Sequence, residues 1–227
     1  MANNELFPLL ETACENRADT YQFLARLYKS EVDEELLAEL KGKSFPYGTG
    51  NKTADEGYLA MAKFLSNTWP NTLTDLAVDY VRAFIGHGND SYSCAYPYES
   101  VYTSRERLMM MGARDMVLAI YRSQGLDKDE SWHESEDHIA VELEFMATMA
   151  QRSAAAFAEG RESDAEAALI VQRNFLEDHL LAWVPMMAAD MRRFAKTDFY
   201  LGLSNITEGF LNIDKEFLDE LFDESQE

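Results

Sequence analysis

Apolar positions recur at helical spacing along almost the whole chain. Between Thr12 and Lys29, the residues Ala18, Tyr21, Phe23, Leu24, Leu27 and Tyr28 trace an amphipathic pattern, and Asp33 to Leu40 follows as a short acidic helix. Gly42 to Lys52 breaks the pattern. Thr53-Ala54-Asp55-Glu56 has the spacing of a capping box and opens a helix through Tyr58, Met61, Phe64 and Leu65. Thr72-Leu73-Thr74-Asp75 is a looser version that opens the next helix, which ends near Ile85 where Gly86 and Gly88 permit left-handed backbone. A long loop, 86–100, continues to Ser100. Its later part, Tyr92 to Tyr98, is apolar and aromatic, and such a stretch either covers the core as a lid or receives a ligand.

From Val101 the pattern predicts one helix to about Ser123, with Met109-Met110-Met111 read as core filling in preference to an adaptable binding surface. Glu134 to Ala158 reads as the central helix. Ile139, Leu143, Met146 and Ala150 form its stripe, Ser135 to Asp137 supply acceptors for the first turn, and His138 sits on that turn beside Asp137. The helix dipole lowers the basicity of an imidazole placed there, whereas the adjacent carboxylate raises it, so spacing alone leaves the sign open. The plain reading of the pair is a capping Asp137 and a polar rim residue His138.

Gly160 interrupts the chain and Ser163-Asp164-Ala165-Glu166 recaps it. The following helix carries Leu169, Ile170, Phe175, Leu176, Leu180 and Trp183, with a kink or break at Pro185. Met186 to Ala195 stays apolar, Thr197-Asp198-Phe199-Tyr200 starts a helix reaching past Leu211, and Asp214 to Phe222 forms a last amphipathic helix. Glu208 to Glu227 holds eight acids against one lysine, which reads as a solvated face and tail. With no convincing alternating strand and no internal repeat, the expected fold is all-α, one multi-helix bundle over residues 1–227.

Composition narrows what such a bundle can do. Hydrophobic residues make up 47% of the 227 positions and aromatics 12%, enough for a folded core. Forty-one acidic against twenty basic residues give a net charge of -21, which repels a phosphate backbone, argues against nucleic acid and favours a basic or apolar partner. The N-terminus has neither the positive stretch nor the long apolar run of a secretory signal, and the longest uncharged apolar run, Leu180 to Ala189, is too short for a membrane span. A cytoplasmic location is expected. Cys14 and Cys94 are too few for a disulfide framework or a four-thiolate metal site.

Catalytic motifs are missing. Of the four histidines, His87, His133, His138 and His179, only His133 has a glutamate three residues earlier, Glu130, so the paired Glu-x-x-His of a di-iron bundle is not met. Gly42-Lys43-Ser44 imitates the end of a phosphate loop, but Leu37 stands where its first glycine is required. Neither G-x-S-x-G nor a dinucleotide fingerprint occurs. The reading is a protein without catalytic residues, metal or cofactor.

The order of several short pieces resembles the TorD/DmsD/NarJ family of redox enzyme maturation chaperones. These pieces are Tyr80-Val81-Arg82-Ala83-Phe84-Ile85-Gly86, then Tyr96-Pro97-Tyr98-Glu99-Ser100-Val101-Tyr102, then Glu136-Asp137-His138-Ile139 about forty residues further on. Leu176-x-x-His179-Leu180-x-x-Trp183-x-Pro185 and the Asp198-Phe199-Tyr200 helix start extend the likeness over residues 15–212. It implies a cytoplasmic, non-enzymatic chaperone that binds the twin-arginine signal peptide and the body of a molybdopterin-dependent oxidoreductase subunit and delays export until cofactor is loaded. Transient contact with the translocation machinery is also implied, as is a monomer or domain-swapped dimer. Carried over by position, the signal-peptide-binding residues would be Tyr80, Phe84, Gly86, Tyr96, Pro97, Tyr98, Asp137 and His138. The chain departs from the family at His87 and Ser135, where proline is usual. Alternatives are a guanine-nucleotide-dependent switch and an assembly subunit of a redox complex. Independently of the likeness, carboxylates suit a guanidinium pair and Tyr, Phe and Met suit an apolar segment, the two halves of such an export tag.

Overall fold

The computed structural model describes residues 3–86, 93–129 and 131–223, and all its regular elements are helical. His87, Tyr92, Glu130 and the last four residues, on which parts of the sequence reading fall, lie outside the described residues. The helices are α1 (Asn3–Lys29), α2 (Glu34–Gly42), α3 (Lys52–Ser66), α4 (Thr72–Tyr80), α5 (Glu99–Thr103), α6 (Gly112–Ser123), α7 (Ile139–Ala158), α8 (Glu162–Phe175), α9 (Leu181–Phe194) and α10 (Asp198–Asp223). Two π turns interrupt this order. Val81–Ile85 prolongs α4, and Leu176–Leu180 joins α8 to α9.

Helix α7 is the centre because it is apolar around most of its circumference, with buried residues from Ile139 to Phe157. It packs along α1 on one side and α8 on the other, while α10 packs along α3 and α9. The α3–α10 contact is backbone on backbone. A Cβ placed on Gly57 would stand 2.7 Å from the Gly202 carbonyl oxygen and 2.7 Å from the Ile206 nitrogen, so only glycine permits this approach. A buried ion pair fastens α1 to α10: Arg17 Nη2 donates to Asp214 Oδ2 at 3.0 Å, Arg17 Nε donates to Oδ1, and Tyr21 donates its hydroxyl to Oδ2 at 2.7 Å. Asp214 is therefore part of the core, not of the solvated face expected around it.

Several expected boundaries move, each for a local reason. Asn51 caps α3, accepting from Thr53 N at 3.0 Å and Ala54 N at 3.2 Å, so the helix starts ahead of the Thr53 box. No side chain caps α8, which starts one residue before Ser163. The helix expected from Val101 to Ser123 is two, α5 and α6, joined by an irregular stretch in which Arg107 and Met110 take left-handed backbone, φ +53° and +58°. Met109 and Met110 point outward there, 41% and 66% exposed, against their expected place in the core. The break expected at Pro185 comes earlier, at the π turn 176–180, and α9 passes through Pro185. Residues 198–223 form one continuous helix where two were expected. Among the described residues no helix is long and apolar enough to cross a membrane.

Candidate functional site

Asp137 and His138 do not divide the work as a cap and a rim residue. The chain turns at Glu136 and Asp137 and is extended at His138, which is itself the N-cap of α7, its Nδ1 accepting from Ala140 N at 3.0 Å. An accepting Nδ1 places the proton of the neutral ring on Nε2. Burial first, with the fields of Lys128 and Lys29 added, pushes the imidazole down to about 3, so desolvation decides the sign that spacing left open. Asp137, 0% exposed, turns inward. Its Oδ2 accepts from Ser100 N at 3.0 Å and from the Ser100 hydroxyl, and its Oδ1 accepts from the Ser135 hydroxyl.

These bonds bring the aromatic segment to the helix start. Glu99 N donates to Asp137 O at 2.9 Å, Ile139 N donates to Pro97 O at 2.9 Å, and Tyr98 and His138 pair as a single antiparallel bridge. The Tyr98 ring meets the His138 ring edge-on at 5.1 Å, and Trp132 meets it from another direction at 4.9 Å. Lys29 Nζ stands 5.2 Å from the Trp132 ring centre. Tyr98 donates its hydroxyl to Glu134 Oε2, and burial together with that carboxylate raises the phenol far above its ordinary range.

Tyr80 and Phe84 come from the other side. The Tyr80 hydroxyl donates to Tyr28 O at 3.0 Å, and its ring lies 5.0 Å from Phe84, which also packs edge-on against Tyr28 and Tyr200. Burial first, then the fields of Glu134 and Glu31, together push the Tyr80 phenol up to about 12, so Tyr80 and Tyr98 both feel Glu134. Ala95 N donates to Ala83 O at 2.7 Å, tying the segment to the π turn. Gly86 ends that turn at φ +64°, and a Cβ there would lie 2.7 Å from Ser93 Oγ and 3.0 Å from Cys94 Sγ. Ser93 Oγ in turn lies 3.1 Å from the Tyr96 hydroxyl.

All eight expected residues thus share one region, in two roles. Phe84, Pro97, Tyr98, Asp137 and His138 are buried and form its base, whereas Tyr80, Gly86 and Tyr96 are half-buried and reach its surface. Trp132 and Glu134 reach that surface too, and sequence reasoning passed over both. Trp132, one of three tryptophans, was legible as an unpaired aromatic six residues before the imidazole. Glu99 and Ser100, polar residues inside an apolar run, were the signal for the attachment to Asp137. Among the described residues no group of His, Cys, Asp and Glu is arranged to hold a metal ion.

Known proteins resemble this chain over most of its length. Residues 51–189 match a family described as the nitrate reductase delta subunit. A chaperone protein TorD of Vibrio cholerae is 28% identical over 217 residues, covering 93% of this chain and 96% of the relative. The TorD of Vibrio parahaemolyticus is 27% identical over 210 residues, 90% of this chain and 95% of the relative, and that of Psychrobacter is 25% identical over 232 residues, 97% and 98%. The role these relatives are named for is a chaperone's, not an enzyme's. The resemblance read from the motifs is borne out: this chain belongs to the nitrate reductase delta subunit family, which includes the TorD chaperones.

Proposed function

We propose that the chain is a system-specific chaperone for the maturation of a molybdopterin-dependent oxidoreductase. Its ligands are the twin-arginine signal peptide and the body of the catalytic subunit, and holding them delays export until cofactor is loaded. The observation that carries this reading is that Tyr98, Trp132 and Glu134 meet at the start of α7, with Tyr80, whose phenol feels both Glu134 and Glu31, close by. Aromatic faces take up the apolar part of such a peptide, and carboxylates pair with guanidinium groups. A net charge of -21 adds long-range attraction for a cationic tag.

The burial of Asp137 changes how the site would work. Both its oxygens are engaged inside the protein, so it acts by fixing Pro97–Ser100 against the start of α7, and Glu134 is the carboxylate placed to meet a cation. Recovery of tagged protein from the native cytoplasm tests the reading. A molybdoenzyme precursor that still carries its twin-arginine peptide is the expected companion, and loss of that companion when the tag's two arginines are replaced by alanine is the expected control. Equal recovery of precursor and tagless enzyme would contradict the reading.

A further inference from the structure

Behind the aromatic segment lie three titratable side chains from three elements. His179 Nδ1 sits 2.9 Å from Glu99 Oε2 and 3.2 Å from Glu99 Oε1, and Trp183 Nε1 donates to Glu142 Oε2 at 3.0 Å. Glu142 is 0% exposed, faces Glu99, and has no hydrogen-bond partner on its other oxygen. The one irregular turn in the long α8–α9 helix is the π turn that carries His179. Among the described residues, the groups that face Glu142 and Glu99 include Tyr121 from α6, Asp137 before α7, His179 from the π turn and Trp183 from α9. No lysine or arginine among the described residues pairs with either glutamate, and the His179 ring is the partner of Glu99, with a third carboxyl, Asp137, close by.

We propose that Glu99, His179 and Glu142 are positioning residues for the ligand surface, forming a latch in which one proton kept on Glu142 lets Glu99 remain against His179. Two ionised carboxylates face to face without water repel strongly, and a proton on one removes that repulsion. Burial first, and the field of Glu99 second, hold the Glu142 carboxyl protonated well above the usual carboxylate range. When the proton leaves to solvent, Glu99 is pushed from its place. Because Glu99 is followed directly by Ser100 and preceded by Tyr98 and Pro97, the bridge to His138 and the bonds to Asp137 loosen with it. The surface that presents Tyr96, Trp132 and Glu134 over the Tyr98 base then loses its shape.

Amide hydrogen exchange on the full chain, corrected for intrinsic rates, tests the latch without any ligand. A titrating group can change an opening equilibrium by up to about tenfold per pH unit, so protection of the Glu99, Ser100 and Ile139 amides should fall at least about tenfold as the pH is raised from neutral through the point at which Glu142 loses its proton. The infrared band of a protonated carboxyl should disappear in step. In Glu142→Gln, which keeps the shape of the protonated acid, the band should be absent and protection should stay flat. Wild-type protection that does not change, or a parallel fall in Glu142→Gln, would overturn the proposal. If that variant does not fold, the infrared band of the wild type decides: its absence at neutral pH overturns the latch, and its loss in step with protection supports it. What the surface binds rests on the chaperone reading, but neither readout uses a peptide, so the two ideas fail separately.

Discussion

Asp137 and His138 stand side by side in sequence yet face different partners. Two adjacent residues at a helix start look as if they share a surface, and from the sequence Asp137→Ala would weaken ligand binding and leave the fold intact. The extended backbone at His138 turns Asp137 inward instead, where it satisfies Ser100 and Ser135. Asp137→Ala should therefore cost about 1–3 kcal/mol of stability, because it strands a buried backbone N–H and two hydroxyls. Denaturant unfolding measures this, and an unchanged midpoint would contradict the internal role. His138 gives a pH signature. Its folded value of about 3 lies below the ordinary 6.5, so its contribution is complete above about pH 6.5 and is lost as pH falls toward 3, at about 1.4 kcal/mol per unit within that window. His138→Asn keeps an acceptor for the cap and should remove that slope from the acid limb of the stability profile.

The helices themselves were legible because their apolar faces repeat at helical spacing, although α1 begins at Asn3, well before the expected Thr12, and α3 begins ahead of its expected box. What spacing could not supply was tertiary context. Gly57 and Gly202 look like ordinary weak points in two helices until α3 and α10 touch through them. Asp214 looks like one more acid in a charged run until Arg17, nearly two hundred residues away, pairs with it. Asp214→Ala leaves the Arg17 guanidinium buried without its counter-charge and should cost about 3–5 kcal/mol. Gly202→Ala brings a methyl to 2.8 Å from the Gly57 carbonyl oxygen and should cost about 1–3 kcal/mol despite alanine's better helix propensity. Thermal unfolding of both variants checks these figures, and a Gly202→Ala protein more stable than wild type would refute the close crossing. The π turns were equally hidden, since Val81–Ile85 and Leu176–Leu180 have the apolar spacing of plain helix.

Across the molecule as a whole, a strongly negative chain carries one region where aromatic rings, an uncharged imidazole and a reachable carboxylate meet. The members of that region were named from motif resemblance, and the coordinates divide them into a buried base and a half-buried surface. The division was not readable in advance because Pro97, Tyr98 and Phe84 differ from Tyr96 and Tyr80 only in what packs over them. The excess of acid predicts that a cationic peptide arrives faster at low ionic strength, and that the on-rate falls steeply as salt is added. The most direct measurement is calorimetric titration of the purified chain with a synthetic twin-arginine signal peptide, alongside the same peptide with both arginines changed to alanine and alongside Glu134→Gln. Saturable binding that needs the arginines, and weakens about fivefold or more in Glu134→Gln as a lost charge-assisted contact requires, is the predicted result. Equal heats for both peptides, or undiminished affinity in Glu134→Gln, would contradict a cationic tag seated at this helix start.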